Sequence, residues 1–234
     1  MRSTARDSSH LLTLLQLASP ALPVGAYSYS EGIETLAAQG LVTDGTTLFH
    51  WLAQELQGGG IRLETALMGW CYTAAQQPQT QADAVIDRWN QWLSAFRETE
   101  EMRSQSWQMG RSLLRLFNDI EPALARQLPP TATREHCNFA IAYGLVTQAW
   151  EIPLADASLA FLHSWAANLV SAAVRSVPLG QTAGQRLLRQ LISPIQQAQA
   201  EIATLTETDL MACSWGVTLA SMQHETEYSR LFRS

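Results

Sequence analysis

Apolar residues recur every three or four positions along this chain, and no stretch sustains the period-two alternation of a half-buried strand. That property restricts the chain to helices packed on helices, joined wherever Pro or Gly interrupts the pattern. Asp44 heads a segment with Leu48, Trp51, Leu52 and Leu56 on one face, and Gly58-Gly59-Gly60 breaks it. Ile61, Leu63, Ala66, Leu67 and Trp70 form the next stripe, followed by Val85, Ile86, Trp89, Trp92, Leu93 and Phe96. A further segment opens with Glu98, Glu100 and Glu101 and carries Arg111 and Arg115 in later turns, the order that complements a helix dipole. Its core stripe is Met102, Met109, Leu113 and Leu116, and Ser106 with Gly110 leaves a smooth patch where another helix can approach closely.

After Pro129-Pro130, Thr131 or Thr133 can start a helix through Phe139, Tyr143 and Val146. Asp156 reads as the cap of a long segment with Leu159, Leu162, Ala166, Leu169, Ala173 and Val177, ended by Pro178-Leu179-Gly180. Pro194 kinks or divides the segment that follows, and Thr206-Glu207-Thr208-Asp209 reads as a capping box opening the last long helix, with Leu210, Met211, Trp215, Leu219 and Met222 inside. The expectation is an all-α fold: one helical domain over residues 1–234, of about eight to ten helices, with flexible ends at 1–8 and 224–234.

Charged residues are 15% and apolar ones 47%, so much surface must be buried, some of it against other proteins. The net charge of −6 argues against nucleic acid as a partner. All 15 basic residues are arginine, and without a lysine there is no Walker A loop and no Schiff-base chemistry. Cys71, Cys137 and Cys213 are odd in number and far apart, as reduced cysteines of a cytoplasmic protein are. Arg2 and Arg6 ahead of Leu11 to Ala18 resemble a secretory leader, but His10, Thr13 and Gln16 make a polar stripe on an amphipathic helix. No uninterrupted apolar run reaches the roughly 18 residues of a membrane span, so a soluble chain is expected.

The helical pattern is most disturbed between Leu17 and Glu34. Pro20 and Pro23 end what precedes them, Gly25 permits a sharp turn, and Ser28 or Ser30 can cap the helix beginning near Glu31. Tyr27 and Tyr29 ride on this turn, which the residues alone leave open between a buried connection and a binding epitope. Ser28-Tyr29-Ser30-Glu31-Gly32 is similar to a nucleophile elbow, but that elbow needs an entering strand. Gly180 to Arg186 is a glycine-bearing helix start, read as capped by Thr182, that could hold an anion. His136 beside Cys137 offers nickel or zinc ligands, although adjacent helical residues point apart. The eight tryptophans, with Met102, Met109, Met211 and Met222, supply surfaces of the kind interface centres use.

Residues Pro20 to Glu34 resemble the signature of the UreF family of urease accessory proteins. Four further segments match in order: Glu101-Met102-Arg103 with Ser106 and Gly110; His136 with Gly144; Val174 to Gln181 with Gly184-Gln185; and His224-Glu225 with Tyr228-Ser229-Arg230-Leu231-Phe232. The resemblance spans essentially the whole chain. It implies an all-helical, homodimeric protein that is not an enzyme and has no cofactor, and that joins UreD (UreH in some organisms) and the GTPase UreG in delivering nickel to apo-urease. It also implies partner-contacting elements at Tyr27, Ser28, Tyr29 and Glu31, at Arg175 with Pro178, Leu179, Gly180, Gln181 and Gln185, and in a tail of His224, Glu225, Tyr228, Arg230, Leu231 and Phe232 that orders on binding. Phe161 and His163 stand where some relatives carry tyrosines, which removes any hydroxyl contact there. Two other readings compete: a direct nickel carrier using His136, Cys137 or His224, and a helical enzyme using Ser30 or the Gly180 to Gln185 turn.

Overall fold

The computed structural model describes residues 8–133, 135–225 and 230–233. Among them run twelve α-helices and no strand: α1 (Ser8–Leu17), α2 (Ile33–Ala38), α3 (Gly45–Gly58), α4 (Gly60–Ala74), α5 (Gln79–Phe96), α6 (Glu100–Ile120), α7 (Pro122–Ala125), α8 (Phe139–Ala149), α9 (Leu154–Ser176), α10 (Gln181–Gln190), α11 (Ile192–Ile202) and α12 (Trp215–His224). The excess over the expected number comes from α7, too brief to leave a periodic signature, and from the division of one segment into α10 and α11. Pro194 does divide its segment: α10 ends at Gln190, and Pro194 sits in the first turn of α11, where a missing N–H is harmless.

Helix α8 is the centre of the molecule. It carries no charged side chain, and Ala140 through Thr147 are all buried between α4 and α6. Two glycines set how closely its neighbours approach. A Cβ on Gly144 would lie 2.5 Å from the Met68 carbonyl oxygen of α4, and one on Gly110 of α6 would lie 2.1 Å from that of Cys137, just ahead of α8. The smooth patch read at Ser106 and Gly110 is therefore used as expected, and the Ser106 hydroxyl accepts from the Phe139 N–H at the start of α8. Asn138, ahead of that start, is buried and donates through Nδ2 to Asn90 and Ser94 of α5.

Helix α9 lies across the other side of the core, against α2, α4, α8, α10 and α11. By length and composition it is long and apolar enough to cross a membrane, which the search for an uninterrupted apolar run misses because Ser158, His163, Ser164, Asn168 and Ser171 interrupt it. Ala157, Phe161, Leu162, Ala166, Leu169, Val170 and Ala173 are spent on the core.

Local signals at helix ends hold in part. Asp44 caps α3 through both Thr46 and Thr47 N–H groups at 2.9 Å, and Gly40 turns with φ 71°. Asp156 lies inside the first turn of α9 rather than capping it, because the cap residue is Pro153, three residues earlier than expected. Gly180, not Thr182, is the cap residue of α10, and Gly32 at φ 82°, not Ser28 or Ser30, leads into α2. The box at Thr206 closes only a 3-10 turn, Glu207–Asp209; Leu210 then leaves helical geometry and α12 begins later, at Trp215. Met211, Trp215, Leu219 and Met222, expected inside, are between 47% and 76% exposed.

Gly110→Ala is expected to destabilise the fold by about 3 kcal/mol, because a backbone carbonyl and not a flexible side chain must yield. Gly58→Ala, whose Cβ would meet nothing within 4 Å, should change stability by less than about 1 kcal/mol. Urea unfolding of the two variants checks this; equal loss in both would refute the close-approach reading.

Candidate partner-binding surface

The Leu17 to Glu34 stretch folds as a chain of tight turns ending in two positive-φ residues, Glu31 at 48° and Gly32 at 82°. Strain at Glu31 has a visible compensation. Its carboxylate turns inward and accepts from Gln105 Nε2 at 3.0 Å and from Trp165 Nε1 at 2.9 Å, fixing the stretch between α6 and α9. Asn168 Nδ2 adds a bond to the Tyr29 carbonyl at 3.1 Å. Glu31 and Tyr29 thus fasten the stretch to the core, and Ser30 is wholly buried, which removes it as a nucleophile. Tyr27 is different: it stands 67% exposed.

Residues 230–233 of the tail are bound to this same stretch. The N–H groups of Leu231 and Phe232 both donate to the Glu34 carboxylate, at 2.8 and 3.0 Å, and the Arg233 N–H donates to the Ser28 carbonyl at 2.8 Å. Phe232 is buried beneath the Arg175 guanidinium, 4.2 Å from its ring centroid, while Arg175 Nη2 reaches the Tyr27 carbonyl at 3.0 Å. Burial raises the Tyr29 hydroxyl, with the Arg233 guanidinium opposing it. Arg230 pairs with Glu101, and the Glu225 carboxylate accepts from the Glu100 and Glu101 N–H groups at the start of α6. His224, expected on the surface, is wholly buried, with Nδ1 2.7 Å from Glu101 and Nε2 3.6 Å from Glu34. Tyr228 lies outside the described residues.

The structure thus brings Tyr27, Ser28, Arg175, Arg230, Leu231 and Phe232 onto one surface. Pro178, Gly180, Gln181 and Gln185 are exposed beyond the end of α9, and Leu179 turns inward towards Gly45. Gln181 and Gln185 line a cavity of about 830 Å³ that also borders Leu17, Tyr27, Met109, Tyr143 and Phe161. Tyr143 and Ser164 face this space with hydroxyls that find no partner among the described residues.

His136 and Cys137 do not converge. His136 is exposed and stacks on Trp107, with ring centroids 4.2 Å apart, whereas burial pushes the Cys137 thiol up to about 12. Among the described residues no group of three or more His, Cys, Asp and Glu side chains is arranged to hold a metal ion.

Sequence reasoning expected a last helix here but began α12 too early and turned the wrong face inward. Its inward face is polar: Ser214, Thr218, Ser221 and His224 hydrogen-bond respectively to Glu55, Glu98, Thr99 and Glu101. Its outward face is the row Trp215, Leu219 and Met222, which the exposed Met211 extends just ahead of the helix. Two stripes were present in this segment, and the uncharged polar one gave no sign that carboxylates from α3 and α6 would meet it. Two small residues seat the helix: a Cβ on Gly216 would lie 2.3 Å from the Trp51 ring, and one on Gly32 would lie 3.0 Å from Ala220.

Comparison with known proteins places these features in a family. The UreF family model matches residues 42–192. A protein of Nostoc sp. named urease accessory protein UreF is 52% identical over the full length of both chains. Proteins of the same name from Synechocystis sp. and Alkalilimnicola ehrlichii are 49% and 38% identical; the first alignment covers 97% of this chain and 99% of the relative, the second 94% of each.

Glu34→Ala should release the tail. Two hydrogen bonds to a carboxylate are lost, so trypsin cleavage after Arg230 is expected to accelerate by roughly tenfold with helical content unchanged. An unaltered cleavage rate would mean that Glu34 does not hold the tail.

Proposed function

The chain belongs to the UreF family of urease accessory proteins, and from that premise we propose that it is a cytoplasmic, homodimeric scaffold that joins UreD (UreH) to the GTPase UreG and so supports nickel insertion into apo-urease without catalysing it. The observation that carries this reading is the inverted helix α12. A helix that buries threonine, serine and histidine beside only the small Val217 and Ala220, while exposing Trp215, Leu219 and Met222, gains little by folding alone. Each large apolar side chain left in water forgoes about 1.5 to 3 kcal/mol that a partner surface would return. Trp and Met are suited to this, since they offer large and adaptable contact area.

A second surface follows from the tail. Tyr27 and Leu231 are exposed on either side of the Arg175 and Phe232 pair, so a partner contacting them reads the tail and the Leu17 to Glu34 stretch together. Two separate surfaces on one rigid core are what a bridging protein requires. For self-association, α1 offers exposed Leu11, Leu12 and Leu15.

Copurification with UreD, UreG and apo-urease tests the scaffold. Trp215→Glu with Leu219→Glu should abolish capture of one accessory protein, and Arg230→Ala should weaken assembly, both with helical content unchanged. Wild-type protein that captures neither UreD nor UreG would end this reading. Leu12→Asp with Leu15→Asp should shift the light-scattering mass from dimer to monomer; a mass unaffected by the pair would move the self-contact elsewhere.

A further inference from the structure

Four carboxylates from four parts of the chain meet beside α12. Glu31 of the amino-terminal stretch, Glu55 of α3, Glu64 of α4 and Glu98 from the α5–α6 connection line a cavity of about 30 Å³. The only cation on that lining is Arg97, whose Nη2 pairs with Glu64 at 2.7 Å. Arg97 is 93% buried by its 7% exposure, and its Nε finds no partner among the described residues. The remaining lining from α6, α9 and α12, which includes Met102, Trp165, Leu169, Ser214 and Val217, carries no charge.

Full ionisation would place four negative charges against one positive charge in a poorly solvated space, and burial with this repulsion raises the carboxyls of Glu55 and Glu64. Two of its members hold α12 directly. Ser214 Oγ accepts from the Gly60 N–H at 2.9 Å and therefore directs its own proton to Glu55 at 3.0 Å, while the Thr218 hydroxyl donates to Glu98. The Cys213 N–H bond to the Gly58 carbonyl, at 2.8 Å, completes the seat.

We infer that this carboxylate cluster is a proton-operated clamp on the amino-terminal half of α12: the helix is seated while Glu55 keeps a proton and loosens when that proton leaves. Ionised Glu55 relieves its repulsion from Glu31, Glu98 and Glu64 by swinging towards water, and Ser214 loses its partner.

Burial, with Glu31 and Glu98 adding to it and Ser214 opposing it, pushes the Glu55 carboxyl up to about 7. A carboxyl raised in the closed state and ordinary in the open one stabilises closure fully below its ordinary value, and that contribution is lost as pH rises through 7. Opening should therefore increase about tenfold between pH 6 and pH 8.

Hydrogen exchange of the amides of Cys213, Thr218 and Leu219, corrected for intrinsic exchange rates, measures this on the full chain alone. Protection should fall about tenfold from pH 6 to pH 8 in the wild type and stay level in Glu55→Gln, which mimics the protonated acid. Ser214→Ala should be weakly protected at both pH values and serves if Glu55→Gln does not fold. Level protection in the wild type, or an equal fall in Glu55→Gln or Ser214→Ala, would overturn the clamp. No partner enters the measurement, so its failure leaves the scaffold reading to be decided by copurification.

Discussion

The backbone contacts around α8 set the terms for everything else. With Gly144 against the Met68 carbonyl and Gly110 against that of Cys137, α4, α6 and α8 approach until main chain meets main chain, a separation that any side chain would prevent. Dispersion between such surfaces is short-ranged, so a few tenths of an ångström decide whether the contact is gained. Once these three helices are fixed, the ends of α6 and α4 are fixed too. The start of α6 carries Glu101, which holds His224 of α12 and Arg230 of the tail, and Glu98 just ahead of it accepts from Thr218 of α12.

Two kinds of cohesion therefore coexist in the molecule. The α4, α6, α8 and α9 core is dry and held by burial. The cap formed by the Leu17 to Glu34 stretch, α12 and the tail is held mainly by hydrogen bonds to carboxylates, each of small net value and open to competition from water or another protein. A cap of this kind can be rearranged at modest cost while the core stays intact.

Much of the core was legible in the sequence because it follows one rule. Leu48, Leu52 and Leu56, or Ile86, Trp89 and Leu93, announce a buried face by spacing alone, and Ser106 with Gly110 announced the close approach to α8. The cap was not legible, for two physical reasons. Periodicity says that a helix has two faces but not which one turns inward, so Met211, Trp215, Leu219 and Met222 were read as core when their polar counterparts are. Pairings such as Glu34 with Leu231 and Phe232, or Glu31 with Trp165, join residues more than a hundred positions apart. No local pattern encodes them. The resemblance to the UreF signatures singles out whole segments, and it does not separate side chains bonded into the core, such as Glu31, Tyr29 and His224, from exposed ones such as Tyr27 and Leu231.

That separation changes what the punctuated amino-terminal stretch is for. Glu31 and Glu34 sit three residues apart and face different neighbours: one fastens the stretch to α6 and α9, the other offers both oxygens to the tail. Glu101 performs the same division on α6, taking His224 on one oxygen and Arg230 on the other. Because each carboxylate is shared between elements, the stretch, α12 and the tail are not three independent binding sites. Displacing the tail frees one oxygen of Glu101 and both of Glu34, which alters the charge around the buried His224 at the end of α12. Displacing the tail thereby acts on the same network that seats the apolar row of α12, and this link requires no movement of the α8 core.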